Sequence, residues 1–347
     1  MPVLQFLATE LERSKWENKV LLNEILTLLD SALSKASLRE QNNIFPSTEL
    51  DWVAKASYNI ALKLPKSAHV EHIIRLLDLS AKASCGRLSD PPNNFNLSQH
   101  YLLCGFLKIV RIIGETRNET NITEKTKCYD EIHTISKHFR EQVRAYQAEI
   151  SDTETQHQEW LARYRIILAL DLEASIFIND WTTVSTIVEE SSTVIDEKLS
   201  SIFLDCILRS EASITDVVRT VKELIRTMHG SLSPYLDSTH FQQALPRYLR
   251  CLFQLSLDAA DYHLAESVLD QALVLARDSH TESNRPLYPS DEIQWLSTVA
   301  FNRAVDYYLA SADADCQRWA EKAITLADLD DCAALGRLLR RNLETLT

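Results

Sequence analysis

The chain has 347 residues, of which 36 are basic, 49 are acidic and only five are glycine, and its formal net charge at pH 7 is −13. Phosphate-binding loops and the nucleophile turns of hydrolases need closely spaced glycines, so dinucleotide-binding folds, P-loop enzymes and α/β-hydrolases are disfavoured. The negative charge disfavours direct binding of nucleic acid and of anionic membrane surfaces.

The cysteines and the apolar segments indicate the cellular compartment of the protein. Seven cysteines, widely spaced and without a CxxC pair, predict a reduced intracellular protein. The first residues contain Glu10 and Glu12 before any long apolar run, which predicts no signal peptide. The most apolar segment, YLLCGFLKIVRIIG, contains Lys108 and Arg111, and we therefore expect no membrane span.

Apolar residues recur at steps of three and four along almost the whole chain, which predicts amphipathic helices, while strand-like alternation is almost absent. Turn-rich segments separate the helices, and GSLSP and SNRPLYPSD are the longest predicted loops. The predicted fold class is therefore all-α. The predicted helices cover residues 15–38, 49–63, 67–85, 97–114, 123–149, 155–179, 181–197, 213–228, 240–260, 262–278, 291–310, 313–328 and 331–345.

Neighbouring helices form pairs with small residues at fixed positions, which is typical of tetratricopeptide (TPR) repeats. Such pairs cannot bury their apolar faces alone and must stack on one another. The sequence predicts a single TPR-like helical-repeat superhelix over residues 1–347, with the best-defined repeats at 245–330. The residues that carry the spacing are Phe253, Ala265, Leu269 and Ala272 in one pair, and Ala300, Ala304, Tyr307, Cys316, Ala320 and Ala323 in the next.

One helical phrase occurs twice, as ELDWVAKASYNIA at 49–61 and as EIQWLSTVAFNRA at 292–304. In both copies a Trp and an Asn fall on one stripe of the helix and small residues fall on the opposite side. We expect both segments to be the first helix of a hairpin, with the small side chains against the partner helix. These small residues are Ala54, Ser57 and Ala61 in the first copy and Ser297, Ala300 and Ala304 in the second.

Residues 247–335 resemble the C-terminal region of the sporulation-specific protein 22 family, also called Zip-four-like, which comprises meiotic TPR proteins and includes testis-expressed protein 11. The resemblance lies in RYLRCLFQLSLDAADYHLAESVLDQALVLARD and in YPSDEIQWLSTVAFNRAVDYYLASADADCQRWAEKAITLADLDD. The segments ELDWVAKASYNIALKL and ILALDLEASIFINDW fit the family less closely. Family members are usually much longer, so we expect a shortened member or an incomplete chain.

The resemblance implies a nuclear scaffold on meiotic chromosomes that gathers crossover factors and promotes assembly of the synaptonemal complex. An aromatic-Asn pair implicated in partner binding in that family matches Phe301 and Asn302 here. From the helical spacing we expect Val305 and Tyr308 on the same concave, protein-binding surface. Two occupants of this apolar surface are open: a partner segment, or the terminal helix 331–345 of the chain itself.

Cofactor and catalytic patterns are weak. His69 with His72, and His133 with His138, lack the further ligands that a metal site needs, and the acidic residues Asp313, Asp315, Asp328, Asp330 and Asp331 lack DDxxD spacing. We expect no enzyme activity, no cofactor, no metal and no small-molecule substrate. Two alternatives stay open: a co-chaperone-like module that binds acidic C-terminal peptides, and an all-α Mg²⁺-dependent enzyme.

Overall fold

The computed structural model describes residues 2–37, 47–65, 70–85, 94–146, 154–230, 238–281, 287–330 and 334–346. Within these residues helix is the only regular structure, and no strand is present. The predicted all-α class is therefore confirmed. None of the described helices combines the length and the apolar character that a bilayer crossing requires.

Fifteen α-helices follow one another in the described ranges, and a turn of 3-10 helix, Ser191–Thr193, follows the eighth. They are α1 (Pro2–Arg13), α2 (Lys19–Ser37), α3 (Ser47–Lys63), α4 (Val70–Cys85), α5 (Asn94–Thr116), α6 (Ile122–Tyr146), α7 (Glu154–Phe177), α8 (Trp181–Glu190), α9 (Glu197–Leu208), α10 (Ile214–His229), α11 (Ser238–Asp258), α12 (Tyr262–Thr281), α13 (Ser290–Leu309), α14 (Asp313–Ala327) and α15 (Ala334–Leu346).

The first helix, α1, is absent from the predicted set, so the prediction is wrong there. Leu4, Leu7 and Leu11 recur at steps of three and four and are buried. The apolar period of a helix is thus present, although it extends over only three turns.

The predicted helix 181–197 is also wrong at its end, because α8 stops at Glu190 and a separate helix, α9, begins at residue 197. The side chain of Asp196 accepts a hydrogen bond from the backbone N–H of Leu199 at 2.8 Å, which is the bond of a helix N-cap. Phe203 and Ile207 continue the buried face of α9. A short helix with its own cap therefore occupies the segment between the predicted helices 181–197 and 213–228.

The chain divides into two compact units, Met1–Ile178 and Asn179–Thr347, so the single domain over residues 1–347 stays a prediction. In the first unit, helices that follow one another in sequence pack together from α3 to α7. Leucine, isoleucine and valine side chains from α1 to α4 form much of its core, among them Leu11, Ile25, Leu29, Val53 and Leu76, each at most 1% exposed. Burial of such side chains stabilises a fold by about 1.5–3 kcal/mol each.

Helices α6 and α7 of the first unit are joined by a buried ionic group. Asp171 is fully buried, and its Oδ2 lies 2.9 Å from Nε of Arg140, which is 4% exposed. Oδ1 of Asp171 lies 2.8 Å from Nδ1 of His133. A carboxylate without contact to water needs such partners, since an uncompensated buried charge is strongly destabilising.

In the second unit the pairs α10–α11, α11–α12 and α13–α14 pack together, and α14 also contacts α12 and α15. The interfaces contain small side chains, which let helix axes approach closely. The small-residue face predicted for both copies of the repeated phrase is confirmed as buried. Ala54, Ser57 and Ala61 are 5%, 0% and 2% exposed, and Ser297, Ala300 and Ala304 are 0% exposed.

The hairpin turns after α11 and α13 have the same backbone geometry. Ala260 and Ser311 lie in the left-handed region, with φ of 55° and 56°. After α11 the N–H of Asp261 donates to the carbonyl of Ser256 at 2.8 Å, and after α13 the N–H of Ala312 donates to the carbonyl of Tyr307 at 2.9 Å. These are the bonds of a Schellman C-cap, which ends a helix and redirects the chain within three residues.

Candidate functional site

Helix α13 carries the four residues predicted to bind a partner, and the structure gives them different environments. Asn302 is exposed, Val305 is half-buried and Tyr308 is 40% exposed. Phe301 is only 4% exposed, so its ring belongs to the interior of the second unit. Phe301 therefore does not face an open surface in this structure, and partner binding through Phe301, Asn302, Val305 and Tyr308 stays a prediction.

The aromatic residues around α13 form a continuous series of ring contacts between buried and half-buried side chains of the second unit. Ring centroids are 6.3 Å apart for Tyr262–Tyr307, 6.0 Å for Tyr307–Trp319, and 6.3 Å for both Trp319–Phe253 and Phe253–Trp295. Trp319 and Phe253 are fully buried. These distances are typical of aromatic pairs that stabilise a core, which explains these aromatic residues structurally.

The Glu-x-x-Trp part of the repeated phrase has a structural role in its second copy. The guanidinium carbon of Arg250, on α11, lies 4.4 Å from the centroid of the Trp295 ring, and Nη1 of Arg250 lies 3.5 Å from Oε2 of Glu292. Glu292 is 4% exposed. Burial, and next the negative charge of Glu292, raise the pKa of the Tyr288 hydroxyl just before α13. The contact of Arg250 with Trp295 and Glu292 connects α11 to α13 and presents no reactive group to solvent.

A cavity of about 630 Å³ lies between α10, α11 and α12 of the second unit, and we call it the α10–α12 groove. Its apolar lining consists of Ile225, Leu245, Leu249, Val274 and Leu275. Leu245 and Leu249 are nearly buried and form its floor, whereas Val274 is 55% exposed. The volume lies in the range of sites that bind ligands, and an exposed valine beside an apolar floor gives a partner accessible apolar surface.

The polar side chains of the α10–α12 groove are unequal in charge. Asp270 is paired with Lys322 on α14, whose Nζ lies 2.6 Å from Oδ1 of Asp270 and 2.9 Å from Oε1 of Glu266. Arg226 and His229 lie in the last turn of α10, and both are exposed. Within the described ranges no carboxylate forms an ion pair with Arg226. The described lining of the groove therefore has a cationic edge in a chain whose net charge is −13.

A smaller cavity of about 110 Å³ in the first unit lies between α4, α5 and α6. Its charged side chain Lys108 is 13% exposed and contacts Asp78 at 3.0 Å and Glu131 at 3.1 Å. With its cation already paired and a volume of only a few water molecules, this cavity is a poor ligand site.

The histidines considered for a metal site are used in other ways. Nε2 of His72 lies 3.0 Å from the side-chain oxygen of Asn23, and His138 lies 3.5 Å from Glu141 on its own helix. His69 lies outside the described residues. In the part of the chain that the structure describes, no three or more His, Cys, Asp or Glu side chains are grouped as metal ligands.

His133, Asp171 and Ser175 lie close together, yet they are not arranged as a catalytic triad. Oδ1 of Asp171 is 2.8 Å from Nδ1 of His133, and Oγ of Ser175 is 3.4 Å from the same nitrogen. A triad needs the carboxylate on one ring nitrogen and the nucleophile on the other. With both contacts at Nδ1, His133 cannot pass a proton between them, so the group acts as a structural tie.

The acidic residues after α14 are also engaged in contacts. Asp328 pairs with Arg340 of α15. Asp330 is 5% exposed and accepts a hydrogen bond from Nε2 of Gln294 at 3.0 Å. Asp331 lies outside the described residues. These carboxylates tie the end of α14 to α13 and α15, which is the structural interpretation of the cluster.

The α10–α12 groove is absent from the predicted site, although the sequence of α12 carries a signal for it. Residues 272–276 read ALVLA, a run of five apolar residues on a helix. One buried stripe accounts for Ala272 and Ala276, which are fully buried, and leaves Val274 facing outward. An apolar run wider than the buried stripe could therefore have indicated a second apolar surface.

Comparison with known proteins gives no relative: no protein-family model, no curated protein and no solved structure matches the chain.

Proposed function

We propose that the chain is a non-catalytic scaffold that binds segments of other proteins in the α10–α12 groove. The observation that carries this proposal is the open cavity of about 630 Å³ whose walls are mainly apolar. Solvent-accessible apolar surface next to a buried floor stabilises a complex when a partner covers it.

A TPR-like superhelix is the finer fold that we propose. It is supported by the hairpins α11–α12 and α13–α14. Their first helices, α11 and α13, end in the same left-handed turn, and their interfaces contain buried alanines. Repeat hairpins of this kind stack through small residues and leave one helix face free for ligands.

The proposed biological setting is meiosis, and it rests on the resemblance of residues 247–335 to the sporulation-specific protein 22 family. In this setting the chain is nuclear, lies on meiotic chromosomes, and connects crossover factors with synaptonemal complex assembly. Its partners are proteins, without direct binding of nucleic acid or membrane. Asn302, Val305 and Tyr308 remain a second proposed contact surface, separate from the α10–α12 groove.

The two alternatives have less support from the contacts. A co-chaperone-like clamp for a terminal carboxylate needs several cations and amides in one groove, whereas the described lining offers Arg226, His229 and the single amide Gln271 beside a mainly apolar wall. An Mg²⁺-dependent enzyme needs converging free carboxylates, whereas Asp328 and Asp330 are tied to neighbouring helices.

Affinity purification from cells entering meiosis tests the proposal. The baits are the wild-type chain, Val274→Asp in the groove, Asn302→Gln on α13, and Ile202→Asp as the matched control, because Ile202 is a 38% exposed apolar residue on α9 outside the groove. We expect wild type and Ile202→Asp to recover recombination and synapsis proteins and Val274→Asp to lose them.

Each result has a separate meaning. Equal recovery with Val274→Asp would show that the groove is not the binding site. Equal recovery with Asn302→Gln would remove the α13 surface from the binding model. Absence of recombination and synapsis proteins with the wild-type bait would contradict the meiotic role.

A further inference from the structure

We infer that the α10–α12 groove binds an amphipathic helix of a partner protein, with an acidic side chain of that helix placed against Arg226. This inference rests on the proposed function and specifies the chemistry of the occupant.

The lining favours a helix over an extended peptide. An extended segment buries backbone N–H and C=O groups that must find partners, whereas a helix satisfies these groups internally. The walls are formed by side chains of three helices. Leu245, Leu249 and Leu275 offer no hydrogen bond, and the polar side chains on α12 are Ser267, Asp270 and Gln271. The apolar wall therefore suits an occupant that needs only side-chain contacts.

The length of the wall also fits a helix. Along α12 the lining runs from Ser267 to Leu275, nine residues, which corresponds to about 12 Å or a little over two turns. A partner helix lying beside it presents apolar residues at i, i+3 or i+4, and i+7 over the same distance.

The charge of the edge selects an acidic residue. Arg226 is exposed and, within the described ranges, forms no ion pair, and His229 is one turn further along the same helix. On α12 the carboxylate of Asp270 already pairs with Lys322 at 2.6 Å. A carboxylate on the partner therefore gains a cation at this edge, whereas a basic partner helix is repelled.

The test starts from a random displayed library of peptides of about 16 residues, a little over four helical turns. The library is selected against the full chain, and the enriched peptide is synthesised with a fluorescent label. Fluorescence anisotropy then measures its affinity for wild type, Arg226→Glu, Val274→Asp and Arg247→Glu. Arg247 is the matched control, because it is an exposed arginine on α11 that does not line the groove.

We expect enriched peptides with apolar residues at helical spacing and at least one Asp or Glu. Arg226→Glu should weaken binding about fivefold to tenfold, as loss and reversal of an exposed ion pair does, and Arg247→Glu should change it less than about twofold. The difference should shrink in about 0.5 M salt. Proline in the middle of the peptide should weaken binding by at least about tenfold, because it breaks a helix.

The outcomes separate the inference from the proposed function. Unchanged binding by Val274→Asp, or no enriched peptide, would overturn the groove as a protein-binding site and the inference with it. Loss with Val274→Asp, combined with equal affinities of Arg226→Glu and Arg247→Glu, would overturn only the acidic partner. Tolerance of proline would overturn the helix. Self-association that Val274→Asp abolishes, measured by sedimentation, would identify a second copy of the chain as the occupant and overturn the inference.

Discussion

Replacing Ser311 by glycine should stabilise the chain, because Ser311 has φ of 56° in the turn after α13. A residue with a Cβ atom in the left-handed region costs about 1–2 kcal/mol, and glycine avoids this cost. Glycine loses about 0.5–1 kcal/mol through its greater freedom in the unfolded chain. Ser311 is exposed, so the substitution removes no buried contact. The expected net gain in the free energy of unfolding is about 0.5–1 kcal/mol.

The matched control is Ala310→Gly, one residue earlier. Ala310 is also exposed, but its φ is −87°, where a Cβ atom causes no strain. This change should therefore destabilise the chain by about 0.5–1 kcal/mol. Ala260→Gly, at φ of 55°, should behave like Ser311→Gly.

Urea unfolding of the full chain, followed by circular dichroism, measures all three variants. With a slope of about 1–3 kcal/mol per molar urea, the midpoint should rise by a few tenths molar for Ser311→Gly and fall for Ala310→Gly. Midpoints that move in the same direction would refute the argument from the left-handed conformation.

Three further predictions concern the interior. Burial, and next the charge of Lys55, lower the pKa of His100 on α5, so the stability that neutral His100 contributes is complete above its ordinary pKa of 6.5 and is lost as the pH falls through the lower folded value. The free energy of unfolding should therefore fall between about pH 7.5 and pH 5, and it should fall less in His100→Gln. Equal pH slopes of the wild type and the variant would contradict this assignment. Asp171→Asn should cost about 3–5 kcal/mol, measured by urea unfolding, because it leaves Arg140 buried without its carboxylate; a cost below about 1 kcal/mol would show that the pair is unimportant. Ala304→Leu should cost about 1–3 kcal/mol in thermal or urea unfolding, because the site is fully buried in a close helix interface, and an unchanged midpoint would mean that the interface has spare room.

The helices and the small-residue faces were predictable from the sequence, because both depend on local periodicity. Ala300 and Ala304 lie four residues apart on one side of α13, and a helical wheel alone predicts their burial. The period of 3.6 residues is a property of a single helix, so no knowledge of its neighbours is needed.

The environment of Phe301 depends on neighbours and was not predictable in this way. Helix α13 packs against α11, α12, α14 and α15, so it is covered on more than one side. The pattern of apolar residues shows which stripe is buried first, but not how many other helices surround it. The α10–α12 groove was not predictable for a related reason, since it depends on how three successive helices pack together and not on the period of any one of them.

The position of Arg250 has a consequence for how the second unit can deform. Its guanidinium carbon lies 4.4 Å from the centroid of the Trp295 ring and its Nη1 lies 3.5 Å from Oε2 of Glu292, so two residues about one turn apart on α13 hold it. If α11 moved along α13 by one helical turn, the charges of Arg250 and Glu292 would both be left unpaired. The contact thus fixes the position of α11 along α13. A lysine at residue 250 lacks the planar guanidinium, so it would keep the charge and lose this alignment.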